Sequence, residues 1–207
     1  MLRKAGRNPQ HFSFAPPGKN LPASEVNMNE SQRGSEMILT KEERLRILDA
    51  PDRHSHAGIR DRAILELLGG AGLKVRELAA LRIENIDLQI SCILLPGGAQ
   101  RMIPFGSRTR ESLMNYLFDV RGEVEGPGSL LFPGRGGEQL TRQAVWKIVR
   151  KYALSAGIGR GVSPEDLRTS LAVSLLRGGT DPAAVQSLLG IRRASMQKYY
   201  DSAGRRD

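Results

Sequence analysis

The stretch that decides the fold is residues 163–201, SPEDLRTSLAVSLLRGGTDPAAVQSLLGIRRASMQKYYD. It opens with Ser163 and, three positions later, Asp166, a pair that forms a capping box for the free amides of a helix N-terminus. Pro164 stands at the first helical position, where the missing N–H of proline costs nothing. These signals predict a helix over the segment SPEDLRTSLAVSLLRGG.

A second capped helix follows in the same stretch. Asp181 is its predicted cap, Pro182 comes next, and Gly190 suits the C-terminal cap. The last helix is predicted over roughly residues 194–202. Two capped helices joined by a short turn also describe a helix-turn-helix, in which the second helix reads a DNA groove. Residues 183–190, AAVQSLLG, offer few base-reading side chains, so that interpretation has little support.

The preceding chain is predicted to be mostly helical, with one small antiparallel sheet. A capping box at Thr40 opens the first helix, and residues 57–72 read as a second helix closed by glycines. Residues 90–105, ISCILLPGGAQRMIPF, read as two strands around a Pro-Gly-Gly turn. Further amphipathic helices are predicted over residues 107–122 and 141–158.

Residues 1–35 differ in composition from the rest of the chain. They are rich in Pro, Gly, Asn and Ser, and their scattered apolar residues have no period, which is typical of a mobile arm or linker. We therefore predict one folded domain over residues 36–207. The arm lacks the apolar segment of a secretory signal, so none is predicted.

Composition argues against several classes of protein. No apolar run approaches the length of a membrane span, so no integral membrane protein is expected. The single cysteine, Cys92, cannot form an internal disulfide, and three histidines do not favour a multi-histidine metal site. We expect no metal, and a cytoplasmic location is the simplest.

The basic charge is concentrated in the last third of the chain. Residues 141–207 carry 12 Lys or Arg against 5 Asp or Glu, whereas residues 36–140 carry 14 against 15. Such a concentration favours a polyanionic partner, nucleic acid first, although a solvated basic helix face is the alternative. The candidate phosphate contacts are Arg168, Arg142, Lys147, Arg192, Arg193 and Lys198.

These segments resemble the C-terminal signature of the tyrosine recombinases, the phage integrase and Xer-like family. The family pattern S-P-H-x-L-R-H, G-x-D, V-Q-x-L-L-G-H and a final tyrosine lies on residues 163–200 without a gap. Residues 60–88 resemble its R-D-x-A box, which contains G-L-R-V-S-E-L. The resemblance covers about residues 36–203. It implies an α+β, predominantly α, catalytic-domain fold with one small antiparallel sheet.

The resemblance also implies a reaction mechanism. In that family a tyrosine attacks a DNA phosphodiester to give a 3′-phosphotyrosyl link and a free 5′-hydroxyl, without metal or other cofactor. Two arginines bind the phosphate bidentately, because their planar forks match its oxygens. A lysine on the hairpin protonates the leaving oxygen, and two further donors, usually histidines, support the phosphate.

Few of these groups are present in this sequence. Tyr200 falls on the nucleophile and Arg168 on the second arginine, while Lys74 replaces the first arginine and keeps charge without the fork. The hairpin segment LPGGAQ, residues 95–100, contains no lysine. The three positions where the family has histidines hold Glu165, Thr169 and Ile191.

The sequence therefore predicts a DNA-binding member of the family whose strand cleavage is impaired. One alternative is an active recombinase or integrase that uses Tyr200, and a second is a non-functional remnant of a mobile element. The predicted partners are double-stranded DNA and either other copies of the chain or a related active recombinase that lends missing groups.

Several individual residues can also be explained by a purely structural role. Arg168 could pair with Glu165, its neighbour at i−3. Trp146 and Tyr152 are expected in the core because they lie on the helix with the apolar stripe. Tyr199 is expected to pack inward.

Overall fold

The computed structural model describes residues 38–95, 101–122 and 129–204. Within these ranges the chain forms eight α-helices and three short strands, in agreement with the predicted predominantly helical fold. The helices are α1 (Lys41–Asp49), α2 (His56–Gly69), α3 (Val75–Ala80), α4 (Ser107–Asn115), α5 (Arg142–Ser155), α6 (Pro164–Arg177), α7 (Pro182–Leu189) and α8 (Met196–Gly204). The strands are β1 (Ile86–Asp87), β2 (Cys92–Leu95) and β3 (Arg101–Pro104).

The three strands form one antiparallel sheet in the order β1-β2-β3. Ile93 pairs with Ile103, and both are fully buried, whereas the next pair, Leu94 and Met102, faces solvent. This alternation is the period of two that strands impose on their side chains. The predicted Pro-Gly-Gly turn lies outside the described residues.

The sheet has one strand more than the sequence predicted. β1 pairs with β2 through Ile86 opposite Ile93 and Asp87 opposite Cys92. A two-residue strand is too short to show alternation, so only the pairing with β2 defines it. The described residues include no helix that is both long and apolar enough to cross a membrane.

The core is built around α2, in which residues 61–69 are all buried. The helix is covered on several sides, because α1, α4 and α6 pack against it. Its buried charges have partners: Glu66 accepts from Arg108 at 3.1 Å, and Asp61 accepts from the Tyr152 hydroxyl at 3.0 Å. Buried ions without such partners would destabilise the fold strongly.

A second apolar cluster joins the last three helices. The capping box at the start of α6 is present, because Ser163 Oγ accepts from the Asp166 amide at 3.3 Å and the Asp166 carboxylate accepts from the Ser163 amide at 2.8 Å. The Asp181 cap and the left-handed Gly190 at the end of α7 are also confirmed. The cluster contains Leu171, Ala172, Val173, Val185, Leu189, Ile191, Met196 and Tyr199.

The prediction that Trp146 is a core residue is wrong. Its side chain is 37% exposed, with the Arg150 guanidinium 5.3 Å from the ring centroid. Val145, Val149 and Tyr152 form the buried face of α5. Trp146 follows Val145 directly, and one helical position rotates a side chain by about 100°, out of that face.

Replacing Ser163 with alanine should lower the free energy of unfolding by about 1 kcal/mol, because an amide at the start of α6 loses its acceptor. Chemical denaturation monitored by circular dichroism measures the change. The control is Ser107→Ala at the exposed start of α4, where no side-chain cap exists and the change should stay within about 0.5 kcal/mol. Equal losses in the two variants would contradict the capping argument.

Candidate functional site

The site begins at the turn between α2 and α3. Gly72 has a φ of +74°, a conformation that favours glycine, and a Cβ there would lie 2.3 Å from a methyl carbon of Leu189. The turn therefore brings the α2–α3 junction against the end of α7. Lys74 precedes α3, and its backbone amide donates to the Glu77 carboxylate at 2.8 Å. This capping contact fixes where the lysine side chain starts.

The Lys74 ammonium is turned toward the protein. Nζ donates to the carbonyl of Gly190 at 2.9 Å and lies 3.9 Å from the Glu77 carboxylate. Partial burial lowers the pKa of Lys74 most, the Glu77 charge opposes that shift, and the nearby positive charges, Arg168 first, add to it. The lysine is therefore a cation in a crowded positive environment.

Arg168 is the most enclosed charged group of the site, with only 4% of its surface exposed. Its Nε donates to the carbonyl of Gly72 at 3.0 Å, and its Nη2 donates to the carbonyl of Leu189. Its Nη1 pairs with a Glu165 carboxylate oxygen at 3.2 Å. One guanidinium thus ties the start of α6 to the α2–α3 turn and to the end of α7.

The ion pair between Arg168 and Glu165 that the i−3 spacing allowed is present. The Glu165 side chain is 51% exposed, whereas that of Arg168 is almost fully enclosed. The carboxylate lies in the first turn of α6, where the partial positive charge of the helix N-terminus also favours it. A phosphate approaching that edge of Arg168 would meet a negative charge already in place.

Arg101 also belongs to this site, although no sequence pattern predicted it. Its Nη2 donates to Glu77 at 2.9 Å. An ideal Cβ on Gly190 would lie 1.7 Å from its Nη1 and 3.6 Å from Nζ of Lys74. Both cations therefore flank Gly190, and the missing side chain of that glycine makes room for the guanidinium. The contact joins the sheet to the end of α7 across distant parts of the chain, so local periodicity carries no signal of it.

The two tyrosines at the end of the chain face different ways. Tyr199 is 3% exposed and packs in the last-helix cluster, as predicted, while Tyr200 is 40% exposed. Ile191 is buried in the same cluster and is therefore a packing residue. Among the described residues no hydrogen bond or ion pair joins Tyr200 to Lys74 or Arg168, so its role as nucleophile stays a prediction.

The other predicted phosphate contacts are all exposed. Arg142 and Lys147 lie on α5, and Arg192 and Arg193 lie at the short turn before α8. Lys198 lies on α8, with its Nζ 4.8 Å from the centroid of the Tyr199 ring. Their contact with DNA stays a prediction. Within the described residues no cluster of His, Cys, Asp and Glu could hold a metal ion.

Comparison with known proteins gives concordant matches. The model of the phage integrase family matches residues 37–205. Tyrosine recombinase XerD of Staphylococcus haemolyticus is 36% identical over 167 residues, which cover 79% of this chain and 57% of that protein. Tyrosine recombinase XerD of Pseudomonas aeruginosa is 37% identical over 163 residues, which cover 77% and 55%. The chain thus spans little more than half the length of these curated relatives.

Solved structures agree on the fold. A crystal structure of XerA recombinase aligns with a TM-score of 0.72 and 28% identity over 83% of this chain and 61% of that chain. XerH site-specific recombinase bound to palindromic difH substrate aligns with a TM-score of 0.71 and 23% identity over 82% of this chain and 50% of that chain. These likenesses confirm the predicted recombinase catalytic-domain fold, with its one small antiparallel sheet.

Replacing Gly190 with alanine should destabilise the protein by more than its backbone conformation alone explains. Gly157 is the matched control, since it also has a positive φ but its Cβ would meet nothing within 4 Å. Gly157→Ala should cost about 1–2 kcal/mol from the left-handed conformation. Gly190→Ala should cost more, because the clash is relieved only when the Arg101 guanidinium moves and gives up its hydrogen bond to Glu77. Equal losses in thermal or chemical denaturation would refute the close approach of Arg101.

Proposed function

The chain belongs to the phage integrase family, and we propose that it is a double-stranded DNA-binding member, associated with site-specific recombination or integration, whose own strand cleavage is impaired. Arg168 and Lys74 would face the scissile phosphate, and Tyr200 occupies the family's nucleophile position. The remaining phosphate contacts would be made by Arg142, Lys147, Arg192, Arg193 and Lys198. Other copies of the chain, or a related active recombinase, would complete the assembly.

The proposal of impaired cleavage rests mainly on the ion pair between Glu165 and Arg168, at 3.2 Å. The family motif has a hydrogen-bond donor where this chain has Glu165. A carboxylate cannot donate when ionised, and it competes with phosphate oxygens for the same guanidinium. This chain therefore meets the attacked phosphate with a negative charge at the edge of its second arginine.

The other replacements weaken the site further. Lys74 is a point charge that shares its hydrogens with the Gly190 carbonyl, whereas an arginine fork would bind two phosphate oxygens. Ile191 has no donor and is packed in the core. Losing one preorganised donor typically costs about 3–4 kcal/mol of transition-state stabilisation, a factor of roughly 10²–10³ in rate. Several losses together leave little cleavage even if they are far from additive.

The DNA-binding part of the proposal is supported by the charge distribution. Five predicted contact residues are exposed cations in the basic last third of the chain. Exposed Lys and Arg hold a duplex through its phosphates without reading its sequence. XerH, which shares the fold, was solved bound to its difH substrate.

A second function, active strand cleavage, has one observation in its favour. The Tyr200 side chain is exposed, so a DNA strand could reach its hydroxyl. Attack by a tyrosine depends on the groups that bind the phosphate, and in this chain those groups include Glu165 and Lys74. Covalent capture of DNA separates the two functions.

The capture experiment uses a pool of duplexes of randomised sequence, with either ordinary or 5′-bridging phosphorothiolate linkages. A thiolate leaves without needing a proton, so the sulfur substrate removes the need for the missing hairpin lysine. We expect wild-type protein to bind both pools and to form no denaturant-resistant adduct with either, including the phosphorothiolate pool, in which the released thiol reseals the strand poorly and any adduct would accumulate. The variant Lys74→Arg/Glu165→His/Ile191→His, which restores three family donors, should form an adduct with the phosphorothiolate pool.

Tyr200→Phe in the restored background is the matched control and should abolish the adduct. If wild-type protein captures the ordinary duplex in a reaction that Tyr200→Phe removes, the chain is an active recombinase. If wild-type protein binds neither pool, the DNA-binding proposal fails.

Replacing Glu165 with glutamine should raise the affinity for the ordinary duplex pool about threefold to tenfold at low salt. The reason is the loss of a charge worth roughly 1 kcal/mol against a phosphate in a high-dielectric setting, an effect that added salt reduces. Glu111→Gln, an exposed change of the same type on α4, should leave affinity unchanged. Equal effects of the two variants in fluorescence anisotropy would mean that Glu165 acts only through net charge.

A further inference from the structure

We propose that Arg101 is a phosphate-binding residue, which supplies the planar guanidinium that Lys74 cannot. The inference deepens the proposed DNA binding and rests on it. Arg101 is the first residue of β3. Its guanidinium lies beside the Lys74 ammonium, next to Gly190.

The two cationic ends face the same point beside Gly190. That point, the ideal Cβ position, is 1.7 Å from Nη1 of Arg101 and 3.6 Å from Nζ of Lys74. The point itself is filled by the guanidinium, but two positive groups this close repel each other, so an anion that contacts both is favoured beside them. A phosphodiester presents two free oxygens, which accept charged hydrogen bonds at about 2.7–2.9 Å.

Glu77 holds both cations in position. Its carboxylate accepts from the Lys74 amide at 2.8 Å and from Arg101 Nη2 at 2.9 Å, and Lys74 Nζ is 3.9 Å away. One carboxylate therefore faces two cations, and a positive charge remains. At Arg168, by contrast, Glu165 balances the charge.

The hydrogen bonds of the two arginines point to different roles. Arg168 donates from all three nitrogens, to two carbonyls and to Glu165. Among the described residues Arg101 donates only to Glu77, and its buried Nε has no acceptor there. Buried donors are normally satisfied, but the Nε atoms of Arg44 and Arg121 are also buried without an acceptor, so Nε alone does not set Arg101 apart. The donor that remains for a ligand is Nη1, which lies beside Gly190 and Lys74 and donates to none of the described residues.

Arg101 also borders open space. It lines a cleft of about 280 Å³ together with Arg76, Glu77 and Asn85, among others. That volume is several times the ~30 Å³ of a water molecule. The cleft therefore gives access to the guanidinium from the side of Arg76, whereas Lys74 and Gly190 do not line it.

The test compares the affinity of the whole chain for the ordinary duplex pool, over a range of salt, in Arg101→Gln and Arg101→Lys. Arg101→Gln should weaken binding roughly tenfold to hundredfold, as the loss of a hydrogen bond between charged groups does. The slope of log affinity against log salt should fall by about one. Arg101→Lys keeps the charge without the fork and should be intermediate.

Two controls distinguish the loss of a phosphate contact from a change in net charge and from a loss of folding. Arg53→Gln removes an exposed arginine at the other end of α2, about 21 Å along the helix, and should leave affinity and slope unchanged. Arg101→Gln/Glu77→Gln keeps the wild-type net charge, and Gln can still cap α3. This double variant should recover only part of the lost affinity, because removal of one nearby carboxylate charge is worth about threefold to tenfold, and its salt slope should stay lower by about one. Recovery to wild-type affinity would overturn the proposal, because the freed Glu77 charge would then explain the loss.

Inorganic phosphate tests the same site without DNA. It should raise the melting temperature of wild-type protein and of Arg53→Gln, and raise that of Arg101→Gln much less. If the wild type binds no duplex but shows this Arg101-dependent protection, DNA binding fails while the phosphate site stands. If Arg101→Gln matches the wild type in both assays, the site does not exist.

Discussion

The contacts of the Arg168 guanidinium are the constraint on which the rest of the site depends. This one side chain donates to the carbonyls of Gly72 and Leu189 and pairs with Glu165. It thereby fixes the α2–α3 turn, the end of α7 and the start of α6 relative to each other. Lys74 and Gly190 take their positions from these elements. A buried guanidinium is tolerated here because its nitrogens all have acceptors, which offset the cost of removing the charge from water.

Two carboxylates neutralise the positive charges of the site to different extents. Glu165 neutralises Arg168 at its accessible edge, and its exposed side chain is free to move when that pair breaks. Glu77, by contrast, is fixed by the Lys74 amide and by Arg101, so it orients cations without cancelling both of them. The net positive charge therefore lies on Lys74 and Arg101 beside Gly190, and not on the neighbouring arginine that the family motif identifies.

The sequence predicted those parts of the fold that depend on local signals. The capping box of Ser163 and the left-handed Gly190 are visible as residue types at fixed spacing, and both are present. β1 was missed because two residues carry no period, and Trp146 was misplaced because helical phase on α5 turns it to solvent. The partner of Arg168 was visible as an i−3 spacing, although the spacing did not decide between Glu165 and an open phosphate site.

The sequence by itself determined the family, the order of the elements and the loss of the family's donors at Lys74, Glu165 and Ile191. These are properties of residue type and register, which a single chain displays in its letters. Only the tertiary structure decided what the remaining cations contact, because hydrogen bonds between the sheet, the α2–α3 turn and the end of α7 join residues far apart in sequence. Arg101 belongs to the site for that reason alone: folding brings the start of β3 against a glycine that leaves room for its guanidinium.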